Sequence, residues 1–259
     1  GKWINSISTV SVGEYDLISK IKPNLIVSDI SAMPFFAANK AQINSVAISN
    51  FSWVDVLRGF STKQIALLEE AYELADLAIQ LPLGPQMKPF RNKKQIGLVC
   101  KKPTDSRKSI RKKLGLNDSD ICVFVNLGNH FKIKPKVASN VKIISTGARV
   151  YSDNVTYIDP WIEGQDLVSA SDLVLSKCGY GMTSECLTNG IPFLYVSDNN
   201  NLEQKAISDE LNKRGLSNRI LESNLNDLVL SREFISKIKT IMEKNETKIA
   251  VSLLKEMLR

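Results

Sequence analysis

The chain has 259 residues, of which 43% are hydrophobic and 24% are charged. This balance is typical of a globular protein with a packed core and room for two domains. No stretch approaches the ~20 apolar residues that span a bilayer, and residues 1–10 lack the pattern of a signal peptide, so we expect a cytoplasmic protein. The formal charge of +7 suits an anionic partner, whether nucleotide, nucleic acid or acidic lipid surface.

The first half of the chain alternates between predicted helices and strands, which indicates βαβ units. Helices are predicted over residues 11–21, 32–41 and 61–75, and strands over residues 24–27, 45–49, 76–81 and 95–100. Prolines at positions 82, 85 and 89 interrupt regular structure and indicate a boundary.

The second half repeats the alternation after a basic run over residues 101–113, which we interpret as a linker leading into a solvated surface helix. Strands are predicted over residues 121–126, 141–145, 156–158, 172–175 and 193–196, and helices over residues 182–187 and 202–214. An amphipathic helical tail is expected to pack across the body. The sequence thus predicts two doubly wound α/β domains, residues 1–100 and 101–231, with a C-terminal helix over residues 232–259.

Cysteine and histidine usage argues against a metal centre. His130 is the sole histidine, and the cysteines form no CxxC pair, so a zinc cluster is hard to assemble. Asp118 and Asp120 have a DxD spacing, but the sequence NDSD ahead of a strand is typical of a turn. We therefore predict no metal and no cofactor. The cysteines, predicted to be reduced, are Cys100, Cys122, Cys178 and Cys186.

Residues 176–197, SKCGYGMTSECLTNGIPFLYVS, join a strand, a glycine turn, a short helix and a second strand. Gly179 and Gly181 permit a tight turn, and the first amides of the following helix favour an anion, most commonly a diphosphate. Lys177 adds a positive charge, whereas Glu185 would repel phosphate and suits a neutral ribose diol. The plain alternative is that any α/β domain needs such turns, and a lone GxG is a weak signal.

Two parts of the chain resemble known families. KCGYGMTSECLTNGIPFLYV, the following LEQ and the preceding WIEGQDLVSASDLVLSK resemble the donor-binding domain of GT-B glycosyltransferases, as found in UDP-sugar transferases and the peptidoglycan N-acetylglucosaminyltransferase. Residues 24–57 resemble the glycosyltransferase-like domain ahead of plant arabinose kinases. The resemblance implies two Rossmann-like domains facing a cleft, the first lacking its opening strands. It also implies metal-independent transfer of a sugar from a nucleotide sugar, with UDP favoured, to an acceptor hydroxyl.

The resemblance assigns donor-binding roles to matching positions. Lys177 stands where plant-type transferases place a histidine on the donor phosphate, and Glu185 would accept hydrogen bonds from the ribose. The turn that wraps the diphosphate would comprise Gly179, Tyr180, Gly181, Met182 and Thr183. The surrounding positions would be Trp161 and Ile162 on the base, Gln165 on the ribose, Glu203 and Gln204 on the sugar hydroxyls, and Gly128, Asn129 and His130 near the phosphates.

The acceptor side departs from the family. Plant-type inverting members use a histidine base on the first N-terminal loop, oriented by an aspartate at a later strand end. Asp29 occupies a strand end of that kind, but the histidine has no counterpart. Asp29 is therefore the candidate catalytic residue, with a turn former as its structural alternative. The basic surface and the likeness to the peptidoglycan enzyme leave open a lipid-linked acceptor at the inner membrane face.

Other functions remain open at this point. A nucleotide-sugar 2-epimerase needs acid and base groups beside the sugar, and the scarcity of histidine argues against it. A binding module would be a transferase-like domain that has lost its base and retains the nucleotide sugar. A nucleic-acid partner is not expected, because the sequence shows no stripe of basic residues with exposed aromatic residues.

Overall fold

The computed structural model describes residues 7–158 and 163–258. These residues form two compact units: unit 1 contains the chain up to Val99 and the segment from Asn245, and unit 2 is Cys100–Lys244. Every strand pair is parallel, which confirms the predicted α/β class. No helix within the described ranges is long and apolar enough to cross a membrane.

Unit 1 combines α-helices with a parallel sheet. Its helices ahead of Val99 are α1 (Ile7–Ile21), α2 (Met33–Ala41), α3 (Trp53–Val56) and α4 (Thr62–Glu73), and its strands are β1 (Ile26–Ser28), β2 (Ser45–Ser49), β3 (Leu77–Gln80) and β4 (Lys93–Gln95). The described strands follow the order β1-β2-β3-β4, without reversal. The core is aromatic and alanine-rich, with Phe35, Tyr72 and Phe90 in mutual ring contact.

Local sequence sets the helix starts in unit 1. Ser52 and Asp55 form a capping box on α3, and Ser61 and Gln64 form another on α4. The predicted strand over residues 95–100 lies further upstream in the structure, at β4. The displacement arises because Ile96 and Leu98 are buried outside the sheet and the N–H of Gly97 donates to Oε2 of Glu246 at 2.6 Å.

Unit 2 has a five-stranded sheet with helices and short strands around it. Its helices are α5 (Arg107–Lys113), α6 (Gly164–Ala170), α7 (Tyr180–Asn189), α8 (Leu202–Lys213), a 3-10 helix (Glu222–Asp227) and α9 (Arg232–Ser236). Its strands are β5 (Ile121–Asn126), β6 (Lys132–Ile133), β7 (Lys136–Val137), β8 (Val141–Ser145), β9 (Arg149–Val150), β10 (Val155–Tyr157), β11 (Leu173–Lys177), β12 (Phe193–Val196) and β13 (Val229–Leu230).

The main sheet of unit 2 has the order β10-β8-β5-β11-β12. In order of use along the chain this is 3-2-1-4-5, the Rossmann order, in which the direction of winding reverses between β5 and β11. One face of the sheet carries α6 and α7. The core also includes Phe131, together with Ile133 and Val150 of the short strands, Leu225 of the 3-10 helix, and Leu230.

The C-terminal stretch differs from the single helix predicted over residues 232–259. It contains α9, which ends at Ser236 in unit 2, and α10 (Thr247–Met257), which belongs to unit 1. The connection is not helical because its backbone finds tertiary partners. The N–H of Glu243 donates to the carbonyl of Leu187 at 2.9 Å, and the N–H of Glu246 to that of Leu98 at 2.7 Å. Apolar spacing alone could not reveal these partners.

Candidate functional site

The reversal of strand order in unit 2 brings two loops together at the carboxyl ends of β5 and β11. Asn126 is paired with Ser176 in register, and the hydroxyl of Ser176 donates to the carbonyl of Asn126 at 2.7 Å. The segment that leaves β5 begins with Leu127 and Gly128, and Lys177 is the last residue of β11. In open α/β sheets, the crevice at such a reversal is where ligands bind.

Lys177 faces Gly128 across this crevice. Its Nζ lies 3.4 Å from the position that a Cβ would take on Gly128, and 5.4 Å from the ring centroid of Phe131. No carboxylate in the described part of the chain lies within 4.0 Å of this ammonium group. The positive charge is therefore available to an anion.

The loop after β5 depends on glycine. Gly128 has φ +94° and Gly147, which packs against it, has φ +88°, a region that favours glycine. A Cβ on Gly147 would lie 2.8 Å from the side-chain oxygen of Asn129, so Asn129 packs over Gly147. The next residue, His130, is exposed, and its ring centroid lies 4.4 Å from that of Phe131.

The glycine turn after β11 opens α7 without a side-chain cap. Gly179 is the N-cap residue with extended backbone, and no atom outside its own segment lies within 4 Å of a Cβ built on Gly179 or on Gly181. The amides of Gly181 and Met182 belong to the first helical turn, where the helix itself offers no acceptor. Backbone N–H groups and open space therefore meet beside Lys177. Tyr180, half-buried, is the first residue of this helix.

Two details of this turn correct the sequence prediction. The helix begins at Tyr180 rather than at Met182, because Gly179 takes the non-helical cap position. Thr183 is fully buried, its N–H donates to the carbonyl of Gly179 at 3.0 Å and its hydroxyl donates to the same carbonyl at 2.8 Å. The amide of Thr183 is thus used by the helix and is not available to a diphosphate.

Glu185 lies about one helical turn after Gly181 in α7 and is half-buried. Burial raises the pKa of its carboxyl to about 7, and the charge of Lys101 opposes the shift. Lys101 also forms an ion pair with Glu163, the N-cap residue of α6, at 3.2 Å. Glu185 is therefore a carboxyl that changes charge near neutral pH beside the start of a second helix.

The positions assigned to the base and ribose are placed unequally. Trp161 and Ile162 lie outside the described residues. Gln165 is only 5% exposed within α6, which leaves little of its side chain for a ribose contact. The adjacent Asp166 accepts hydrogen bonds from the N–H and hydroxyl of Thr104 and so anchors the chain ahead of α5.

A cavity of about 490 Å³ lies next to Lys177 and contains residues that sequence reasoning missed. Of the predicted donor-binding positions, Gln204 and His130 line it, whereas Glu203 does not. The side-chain oxygen of Gln204 accepts from the N–H of Asp198 at 3.0 Å, which holds the loop after β12. The additional polar lining residues include Ser197, Asp198, Asn199, Asn200, Arg219 and Glu222.

Part of this lining could have been found from sequence. Residues 197–200 directly follow β12, and the carboxyl ends of parallel strands gather at one edge of the sheet. Arg219 has no such signal. It enters the cavity because residues 218–220 run alongside Tyr195, which only the tertiary structure shows.

In unit 1, Asp29 directly follows β1 and is bonded to the end of the neighbouring strand. Its side chain is exposed, yet the surrounding protein raises the pKa of its carboxyl by desolvation, while a hydrogen bond from Ser49 opposes the shift. The next residue, Ile30, has φ +61°, which is strained for a β-branched residue. The buried hydroxyl of Tyr72 donates to the carbonyl of Ile30 at 2.6 Å and holds this turn.

The remaining charged motifs have structural partners. Asp120 accepts from the N–H of Asn117 at 2.8 Å, which makes the DxD segment a turn, as predicted. In the basic run, Arg107 and Arg111 bind Asp172 at 2.7 and 3.2 Å and donate to nearby carbonyl groups. The described residues contain no group of three or more His, Cys, Asp or Glu residues that could hold a metal.

Comparison with known proteins establishes the fold. No family model matches the chain. The L-arabinokinase of Arabidopsis thaliana is 29% identical over an aligned length of 197 residues, and the match covers 71% of this chain and 19% of the relative. The chain therefore spans about a fifth of the length of that curated relative. The predicted resemblance to a plant arabinose kinase is thus found in a direct comparison.

Solved structures extend the likeness over nearly the whole chain. The glycosyltransferase SnogD of Streptomyces nogalater has a TM-score of 0.59 at 14% identity, over 99% of this chain and 80% of its own. UGT89C1 of Arabidopsis thaliana, complexed with UDP-L-rhamnose, has a TM-score of 0.56 at 13% identity, over 100% and 70%. MurG of Acinetobacter baumannii has a TM-score of 0.51 at 14% identity, over 97% and 72%. The fold is that of the GT-B glycosyltransferases, as predicted.

Proposed function

We propose that this chain, which has the GT-B fold, binds a nucleotide sugar in unit 2 and transfers the sugar to an acceptor hydroxyl. The observation that carries the proposal is the position of Lys177. Its unpaired ammonium group lies at the reversal of strand order, beside Gly128 and the uncapped first turn of α7. A diphosphate is the ligand class that such a combination of a fixed cation and free amides recognises.

The donor's other parts follow from the residues around this point. Glu185 accepts hydrogen bonds from the ribose diol, since the lower dielectric around a half-buried carboxylate strengthens a hydrogen bond to it. Trp161 and Ile162 cover the base, as the resemblance implies. The cavity lined by Gln204 receives the sugar, and Glu203 is the second residue that the resemblance assigns to the sugar hydroxyls. UDP is the favoured nucleotide, because the resemblance is to UDP-sugar transferases.

In the transfer step, the acceptor oxygen bonds to the anomeric carbon as the bond from that carbon to the β-phosphate oxygen breaks. The acceptor's proton passes to a base, and the nucleoside diphosphate leaves with the electron pair. Lys177 and the amides of Gly181 and Met182 stabilise the negative charge that develops on the leaving group. Asp29 is the proposed base, and its raised pKa improves a carboxylate for that task.

A second candidate, a nucleotide-sugar-binding module without catalysis, is favoured by one observation. The curated relative that this chain matches is named an L-arabinokinase and not a glycosyltransferase. The two candidates share the donor site and differ in turnover.

Calorimetric titration with UMP, UDP, UDP-glucose and UDP-N-acetylglucosamine tests the shared site. We expect UDP compounds to bind, and Lys177→Met to weaken them about 10–100-fold, as loss of one charge-assisted contact of 1.4 to 2.8 kcal/mol would. The matched control is Lys112→Met, because Lys112 is an exposed lysine of α5. If no nucleotide binds, or both variants bind as tightly as the wild type, the donor-site assignment is wrong.

Product analysis separates the two candidates. Transfer of labelled sugar to an acceptor mixture that includes lipid-linked acceptors, abolished by Asp29→Asn with unchanged UDP affinity, supports the transferase. Tight binding with neither transfer nor hydrolysis supports the binding module.

A further inference from the structure

The cavity beside Lys177 contains a second positive charge that the proposed donor contacts do not use. Arg219 lines the same 490 Å³ cavity as Lys177. The carboxylates of Asp198 and Glu222 also line it, but neither forms an ion pair within 4.0 Å with these cations in the described part of the chain. Asp198 instead accepts from the N–H of Asn200 at 2.8 Å.

Arg219 is held in place by both its backbone and its side chain. Its backbone forms a parallel bridge with Tyr195: the N–H of Tyr195 donates to Asn218 at 3.1 Å and the N–H of Ile220 donates to Tyr195 at 2.8 Å. Its Nη2 donates to the carbonyl of Ser197, the first residue after β12, at 2.9 Å. A guanidinium group has five N–H donors, so one contact fixes its position and leaves others for a ligand.

We infer that Arg219 is a second donor-binding cation that binds an anionic group of the nucleotide sugar. This inference rests on the proposed function, since it concerns the same site. The group is a phosphate oxygen or a carboxylate carried by the sugar. A planar, permanently charged guanidinium binds either through paired N–H···O contacts. Because neither cation is paired with the carboxylates that share the cavity, both remain available to a donor with negative charge next to or beyond the α-phosphate.

The test is calorimetric titration of wild type, Arg219→Met and Arg219→Lys with UMP, UDP, UDP-glucose and UDP-glucuronate. We expect Arg219→Met to bind any ligand that carries the anionic group contacted by Arg219 at least tenfold more weakly than the wild type does. Arg219→Lys should recover part of that affinity. The affinity for UMP should change little in either variant. Loss for UDP and both UDP-sugars identifies the diphosphate as the anionic group. Loss confined to UDP-glucuronate identifies a sugar carboxylate.

The matched control is Arg232→Met, since Arg232 is an exposed arginine that lines a different cavity. Circular dichroism melting of each variant checks the fold. If Arg219→Met binds all four ligands like the wild type while Lys177→Met does not, the role of Arg219 is overturned and the donor site stands. If the wild type binds none of them, the proposed function fails, and this inference fails with it.

Discussion

The ammonium nitrogen of Lys177 lies 3.4 Å from the point where a Cβ would sit on Gly128. A methyl group at that point would be in contact with the ammonium group. It would cover the side of Lys177 that we propose binds an anion. Gly128 also has φ +94°, a conformation that other residues adopt at a cost of about 1 kcal/mol. Gly128 therefore permits the turn and leaves space for the proposed ligand.

We expect Gly128→Ala to weaken UDP binding about tenfold, because the new methyl group blocks and desolvates the Lys177 ammonium. Gly115→Ala is the matched control: Gly115 has φ +69° and nothing within 4 Å of a built Cβ. Both variants should lose similar stability in urea unfolding, and only Gly128→Ala should lose affinity in calorimetry. Equal affinities for the two variants would show that the Gly128 side of Lys177 does not face the ligand.

Glu185 makes both stability and binding depend on pH near neutrality. Its folded-state pKa is about 7, raised from 4.5 by burial. Between these values the unfolded chain releases a proton that the folded chain retains, so the contribution of Glu185 to stability is complete below pH 4.5 and is lost as the pH rises through 7. Since the group is partly exposed, we expect about 1 kcal/mol.

Glu185→Gln should remove that contribution, which urea unfolding at pH 5 and pH 8 can measure. For binding the sign is opposite: hydroxyl donors of a ribose favour the ionised carboxylate, so the affinity for UDP-glucose, whose diphosphate does not titrate near neutral pH, should rise between pH 6 and pH 8 in the wild type and not in Glu185→Gln. A pH-independent affinity in the wild type would remove Glu185 from the ribose site.

Tyr72 supports the turn that follows Asp29. Its hydroxyl donates to the strained Ile30 at 2.6 Å and accepts from the N–H of Trp53 at 3.2 Å. Tyr72→Phe should therefore destabilise the protein by about 1–3 kcal/mol, because two backbone groups lose their partner. As the turn relaxes and the Ser49 bond weakens, the pKa of Asp29 should rise further, as a carboxyl-carbon NMR titration would show.

Tyr151→Phe is the control for this change, because Tyr151 is 45% exposed and its substitution should alter stability by less than about 0.5 kcal/mol. If Tyr72→Phe lowers stability and leaves the Asp29 titration unchanged, Tyr72 is a packing anchor with no influence on Asp29.

Arg111 shows that part of the basic run is internal structure. Its side chain is 11% exposed and donates to the carbonyls of Ala170 and Asp120 as well as to Asp172. Arg111→Met should cost about 2–4 kcal/mol, because these acceptors lose their donor. The exposed Lys112 should tolerate Lys112→Met within about 0.5 kcal/mol. Urea midpoints of the two variants provide the measurement, and equal midpoints would contradict this role.

The elements that could be predicted from the amino-acid sequence are those with local signals. Apolar runs predicted β5, β8 and β12 with their observed bounds. The glycine turn and Lys177 were also local features, since a strand, a glycine turn and a helix follow one another directly. Two-residue strands such as β6 and β9 have too few residues to show a period, and they were missed.

Contacts between residues far apart in the sequence could be seen only in the tertiary structure. The strand reversal brings Gly128 to Lys177, a long way along the chain, because β5 and β11 pair in register. Arg219 reaches the same cavity through its bridge to Tyr195, and the N–H and hydroxyl of Thr183 both donate to the carbonyl of Gly179 within the helix. Hydrophobic periodicity predicts which face of a helix or strand is buried. The element that packs against that face depends on the order of strands in the sheet and on hydrogen bonds between backbone groups far apart in the sequence.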